Sequence, residues 1–344
     1  MRRWVVNSVR RRLERLRHRR EPTRLILCYH RIVEVDADPW KSCVSPGHFA
    51  EQLEILRDWG TILELGTLVA GLETGDLPRR AVALTFDDGY ADNLHVAKPI
   101  LARYEAPALV FLATGYLDRH DGVWWDRLEQ LILRPGRLPE VLKIEIGGKI
   151  WRRQLGAAAR LDEVTWHRHR SWKAWQRPPT DRHRLFVELW ARLRLLADPE
   201  RRAALEALAS WAAQPNENGT EPRPLASAEV RALVEDKLVQ VGAHTVTHPL
   251  LPGLSEAEQR AELEGSRRDC AALIGEPPAA LAYPHGKCTR ALASLARKVG
   301  FTVACSTAGR PVRVGSDRFR LPRIAIADWD GATFARMLEE HFVA

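Results

Sequence analysis

The stretch Ala-Val-Ala-Leu-Thr-Phe-Asp-Asp-Gly-Tyr, AVALTFDDGY at residues 81–90, decides how this chain is read. An apolar run with the character of a buried strand ends in two adjacent carboxylates and a glycine. Like charges side by side repel, and a cation between them would relieve that repulsion and leave both acids ionised near neutral pH. Side chains on a strand alternate between faces. Asp87 and Asp88 therefore reach one site only if the strand ends there and the backbone turns, as Gly89 permits. Taken alone, the pair is also compatible with an Asx turn or a helix N-cap.

Similar short runs recur on either side. Candidate strands lie at 24–30 (RLILCYH), 81–88, 107–114, 238–245, 279–286, 301–307 and 318–326. Amphipathic segments at 48–60, 91–105 and 255–275 stand between them. Strand followed by helix, repeated, predicts an α/β fold of parallel βα units, a barrel or a doubly wound sheet. In a barrel the chemistry gathers at the C-terminal ends of the strands, where the two acids lie. Between about 116 and 237 the rhythm gives way to Trp- and Arg-rich text that reads as helical. It holds eight of the twelve tryptophans and is expected to be an insertion that covers or flanks the barrel mouth. Its tryptophans could stack on sugar rings, but helix-spaced Trp is more often core.

With 344 residues and 45% hydrophobic content, the chain is long enough for a sizeable core. The net charge of +8 belongs to the first 20 residues, where nine arginines face the single acid Glu14. The body is balanced, which argues against a nucleic-acid partner. Residues 1–22 have apolar positions at helical spacing with arginines elsewhere, a pattern suited to an anionic membrane surface or to a solvated arm. They lack the apolar core of a signal peptide, and no later stretch approaches ~18 apolar residues. Five scattered cysteines fit reduced thiols. The expectation is a cytoplasmic protein, held at the inner membrane face by residues 1–20.

In GAHTVTHPLL (242–251), His244 and His248 are four apart, so one helical turn or a comparable loop sets both imidazoles on one side. Two imidazoles with one carboxylate leave open positions on a metal, as a catalytic site requires. Zinc or a similar divalent cation would bring a water pKa from 15.7 towards ~7, and the second carboxylate could serve as general base.

TFDDGY together with HTVTH resembles the first two motifs of the polysaccharide deacetylases, a carbohydrate esterase family with a NodB-like domain. The resemblance implies a distorted (β/α) barrel over residues 23–344 and metal-dependent removal of acetyl groups from an acetylated oligo- or polysaccharide, or from a lipid-linked sugar. It also implies that Asp87 is the general base and that Asp88, His244 and His248 hold the metal, with zinc expected. LAYPHGK (281–287) resembles the third motif, whose backbone N–H, here at His285, would help hold the oxyanion. Ala282 and His285 depart from the usual Arg and aromatic of that motif, and the late Leu-x-His that supplies the general acid is missing. The early CYHRI resembles the poly-N-acetylglucosamine deacetylase branch. By that likeness His30 is the candidate general acid and Arg323 the charge that orients Asp87.

Two other readings compete. Two histidines and a carboxylate also form the facial triad of Fe(II) oxygenases, which usually begins His-x-Asp on one strand, and this chain has no such start. A glycan-binding scaffold on the same fold would have no need of all four of Asp87, Asp88, His244 and His248.

Overall fold

The computed structural model describes residues 23–119, 121–213 and 222–343. The basic segment 1–22, with its expected membrane contact, lies outside the described residues. Among those described, no helix is long and apolar enough to cross a membrane. The chain divides into two compact units, one of residues 42–117 and 225–344 with the N-terminal segment to 34, the other of residues 35–41 and 118–224.

The first unit is built on eight parallel strands: β1 (Thr23–Tyr29), β2 (Thr61–Ile62), β3 (Arg80–Phe86), β4 (Ala108–Leu112), β5 (Val239–Ala243), β6 (Ala280–Ala282), β7 (Val303–Cys305) and β8 (Ile324–Ala325). Their order across the sheet is β7-β6-β5-β4-β3-β1-β8, with β2 beside the start of β3. Seven helices connect or follow them: α1 (Pro46–Trp59), α2 (Leu65–Thr74), α3 (Lys98–Arg103), α4 (Ser227–Val234), α5 (Glu256–Ile274), α6 (Arg290–Val299) and α7 (Gly331–Val343). Parallel neighbours need such crossovers, so the alternation seen in the sequence becomes the topology.

The two edges of the sheet are drawn together by the segment before β8. Leu321 N–H donates to Ala304 O and Ser306 N–H donates to Leu321 O, while Ile324 and Ala325 pair with Leu27 and Cys28 of β1. The predicted strand 318–326 is thus split between the two edges at Pro322, which has no N–H to offer a ladder. The result is a distorted barrel.

The long central strands β1, β3 and β4 are largely apolar on both faces, as strands buried on both sides must be, whereas Thr61 of β2 and Ala325 of β8 are exposed. Leu25, Leu27, Val82, Leu84, Phe86, Val110 and Leu112 join a cluster with helix residues such as Phe49, Leu53, Leu56, Leu263 and Leu292. The intervening Ile26, Ala81, Ala83, Leu109, Phe111, Ala280, Ala282, Val303 and Cys305 form a second cluster. That second face is the one that matters here, because continuing its period of two carries it from Ile26 through Cys28 to His30 and from Ala83 through Thr85 to Asp87. On β5 the same face holds Gly242, where a Cβ would stand 2.6 Å from the Phe111 ring, and then His244.

The second unit contains the helices Trp124–Leu133, Asp181–Leu193 and Asp198–Ala212. It departs from the helical expectation in two places, an antiparallel hairpin of Val141–Ile146 and Lys149–Gln154 and a short antiparallel pairing of Gly136–Arg137 with Arg160–Leu161. Leu142, Ile144 and Ile146 are buried and the residues between them exposed, the alternation of a one-sided sheet. Trp124 and Trp172 belong to the buried interior and Trp190 packs on Trp40, while Trp175 is exposed. Buried Arg182 donates to the carbonyls of Ile132, Gly136 and Arg134, tying helix ends and turns together.

Gly242→Ala tests the barrel packing. Overpacking against Phe111 is expected to lower the unfolding free energy by ~1–3 kcal/mol, measured by urea denaturation.

Candidate active site

Asp87, His244 and His30 each follow the last residue of a strand, β3, β5 and β1 respectively, and all lie on the inner face described above. Asp88 would point outward if the strand continued. Instead Asp88 and Gly89 both take left-handed backbone, φ 73° and 74°, and the chain folds over so that both acids face one site. Gly89 is required on two counts, since a Cβ there would also come within 2.6 Å of Leu112 Cδ2.

Asp88 Oδ1 stands 3.5 Å from Nε2 of His244 and 3.5 Å from Nε2 of His248. All three side chains are buried. Ligands about 2.1 Å from one ion at tetrahedral angles stand about 3.4 Å apart, so the three donors have the spacing of a divalent metal site. The His244 ring is oriented for that role. Its Nδ1 bonds to the Ala282 carbonyl at 2.8 Å, an acceptor, which places the proton on Nδ1 and turns the Nε2 lone pair towards Asp88. Burial holds the His244 pKa down to about 4, so the imidazole is neutral, as a ligand must be.

The two histidines are set by a loop, not by a helical turn. Residues 244–248 follow β5, with Thr245 and His248 at positive φ (66° and 52°). The loop is held by Glu262 of α5, whose carboxylate accepts from Val246 N–H (2.8 Å), Thr247 N–H (2.9 Å) and the Thr247 hydroxyl (2.6 Å). Val246 fits between two glycines. A Cβ on Gly115 would come within 2.7 Å of Val246 O, and one on Gly265 within 2.8 Å of Val246 Cγ2. Sequence reasoning missed Glu262, Gly115 and Gly265, because their partner loop is reached only through the fold.

Asp87 is held differently. Arg323 grips it with both guanidinium arms, Nη1 to Oδ1 at 2.7 Å and Nη2 to Oδ2 at 2.6 Å, and Nη1 also donates to Thr85 Oγ1. Arg323 is fully buried, and its Nε donates to Ser306 O. Burial alone would raise the Asp87 pKa. The adjoining guanidinium outweighs it and, with help from His244, holds the carboxyl well below the usual carboxylate range. The Cys28 thiol donates to Asp87 Oδ2 at 3.4 Å, and burial pushes that thiol's pKa well up, so it remains a neutral donor. The Cys28 contact is a further feature that sequence reasoning missed, although the period of two along RLILCYH places Cys28 on the face of His30.

His30, Cys28 and Asp87 bring donor atoms within 4.8 Å of one another. The motif after the acids fixes the backbone that carries His30. Asn93 Nδ2 donates to His30 O, and Asp92 accepts from the Arg31 guanidinium and from Ile32 N–H. His285 lies in the turn after β6 with φ 56°, its ring 4.7 Å from that of His248. The structure thus brings Asp87, Asp88, His30, His244, His248, His285 and Arg323 to one end of the barrel.

Known proteins bear on this geometry in three ways. The polysaccharide deacetylase family profile matches residues 74–142 and 190–304, which include both acids and both histidines. A comparison with curated protein sequences gives no match. Among solved structures, the Streptococcus pyogenes deacetylase PplD in complex with acetate superposes with a TM-score of 0.56 at 18% identity, over 93% of this chain and 98% of that one. IcaB from Ammonifex degensii gives 0.54 at 17% identity, over 92% and 98%. A de-N-acetylase from Aggregatibacter actinomycetemcomitans gives 0.54 at 16%, over 92% and 99%. At these identities the likeness is one of fold. The profile match spans more than half of the chain and contains Asp87, Asp88, His244, His248 and His285, with His30 and Arg323 outside it, and on that ground the chain belongs to the polysaccharide deacetylase family.

Proposed function

We propose that this protein removes N-acetyl groups from an acetylated glycan by hydrolysis, with Asp87 as general base and a divalent cation, zinc in the first instance, held by Asp88, His244 and His248. The observation that carries the reading is the separate setting of the two adjacent acids: Asp88 stands 3.5 Å from the imidazoles of His244 and His248, and Asp87 is gripped by Arg323 4.0 Å from His244 Nε2. An O-acetyl ester would meet the same groups, and acetate release from matched amide and ester substrates separates the two.

When bound, the cation supplies Lewis acidity towards the acetyl carbonyl and towards water. The protein's own groups do the rest. Asp87 takes a proton from the attacking water while Arg323 keeps both carboxylate oxygens in fixed directions. The His285 backbone N–H, presented by its left-handed turn, faces the oxyanion. His30 delivers a proton to the departing amine, which is a very poor leaving group without one. The arginines of residues 1–20 favour a reaction beside an anionic membrane face, where a lipid-linked sugar would be a second substrate class.

Asp87→Asn is expected to lower acetate release ~10²–10⁴-fold while leaving zinc stoichiometry near one per chain, and the His244→Ala, His248→Ala pair is expected to abolish zinc binding, both read by acetate assay and metal analysis. Full acetate release by Asp87→Asn would sink the base assignment. Glu262→Ala should weaken zinc ~10–100-fold in a chelator competition, with Glu262→Gln in between, because the Gln keeps an acceptor for the loop amides.

The pH dependence follows from the sign of the Asp87 shift. A carboxyl whose folded pKa is depressed contributes stability that is fully present above its unfolded pKa, about 3.9, and is lost as pH falls through the folded value. The difference in unfolding free energy between wild type and Asp87→Asn should therefore be flat above about pH 5 and shrink below about pH 4. A difference that falls between pH 8 and pH 6 would contradict the assignment.

A further inference from the structure

On the same rim, a cleft of about 240 Å³ opens between the turn after β6 and the segment 306–320. Its walls include Gly286, Ser306, Arg310, Ser316, Asp317 and Arg320. Two of these join it to the reaction centre. Gly286 follows His285, and the Ser306 carbonyl accepts from Nε of Arg323, the residue that holds Asp87. Gly286 lets the turn lie against its neighbour, since a Cβ there would stand 1.8 Å from Thr307 Oγ1.

Apart from Oδ2 of Asp317, the polar side-chain groups left available in this cleft are hydrogen-bond donors. Neither the Arg310 nor the Arg320 guanidinium is engaged in an ion pair among the described residues, whereas nearby Arg318 is paired with Glu73 at 2.8 Å. Ser316 Oγ accepts from Arg313 N–H, which leaves its O–H to donate. The one acid, Asp317, has Oδ1 taken by Phe319 N–H, and the Ser306 hydroxyl is spent on Leu321 O. Two guanidiniums and a hydroxyl match an oxyanion, which arginine meets with paired, charge-assisted N–H bonds. Ligand pockets usually run ~300–1,000 Å³, so a cleft of this size suits a substituent on a sugar and not a whole oligosaccharide.

We propose that this cleft binds an anionic substituent, a phosphate monoester or a carboxylate, carried by the acetylated glycan beside the sugar that is deacetylated. The proposal rests on the deacetylase reading for its substrate but has its own readout. The probes are a neutral N-acetylglucosamine pentasaccharide and the same pentasaccharide bearing one phosphate monoester or one carboxylate at C6, with Kd measured by calorimetry on the zinc-loaded full chain. Wild type should bind one or both anionic forms at least ~10-fold more tightly than the neutral form. The ratio should fall to about one in the Arg310→Gln, Arg320→Gln double variant and persist in Arg313→Gln, a neighbouring arginine outside the cleft wall. The two anionic arms tell phosphate from carboxylate. Equal binding of all three by wild type, a preference that survives in the double variant, or its loss in Arg313→Gln would each overturn the proposal. Acetate release from all three pentasaccharides is followed in parallel. Its absence from all three, with the anion preference intact, would overturn the deacetylase reading and uphold the cleft.

Discussion

A carboxylate buried at the top of a curled barrel sheet needs a positive partner, and in this protein Asp87 has Arg323. Both side chains are almost wholly buried, so removing either would strand the other's charge, at ~3–5 kcal/mol. The pair also organises its surroundings. Arg323 reaches Thr85 and Ser306 and lies over the Phe111 ring at 5.3 Å, so three strands and the segment before β8 are referred to one guanidinium. Its charge keeps Asp87 ionised although buried, which leaves a carboxylate fixed in direction and able to accept a proton only when chemistry supplies a strong reason.

Around that fixed point the backbone is strained. Asp88, Thr245, His248 and His285 all take positive φ without being glycine, and such residues cost about 1–3 kcal/mol each. The strain persists because the surroundings determine it. Glu262 receives two loop N–H groups and a hydroxyl, Thr114 and Gly115 donate backbone N–H to Thr245 and Val246, and His244 is locked on Ala282. A scaffold of short strands and long helices thereby holds four left-handed residues where imidazole and carboxylate donors must converge.

Much of this was legible in one dimension. The strands at 24–30, 81–88, 107–114 and 238–245 carry enough apolar residues to announce themselves, and the period of two along them already puts His30, Asp87 and His244 on one face. TFDDGY and HTVTH carry their chemistry in the spacing of a few residues. The last strand was less legible. Its predicted span of 318–326 contracts to Ile324–Ala325, because Pro322 interrupts the ladder and Leu321 pairs with the opposite edge. The hairpin at 141–154 is hidden in text that reads as helical, because Trp and Arg obscure the alternation of Leu142, Ile144 and Ile146. Glu262 could not be found at all from its neighbours in sequence. Nothing in an amphipathic helix distinguishes a solvated glutamate from one that caps a loop 15 residues earlier, and only the docking of α5 on that loop decides it.

The central claim is that one rim of the barrel separates two adjacent acids into a metal ligand and a proton acceptor. Its most direct test is a crystal of the zinc-loaded protein with anomalous differences collected at the zinc edge. The account predicts a single peak within bonding distance, about 2.0–2.2 Å, of Asp88 Oδ1, His244 Nε2 and His248 Nε2, with Asp87 still on Arg323. A peak among Cys28, His30 and Asp87, with Arg323 displaced from Asp87, would contradict it.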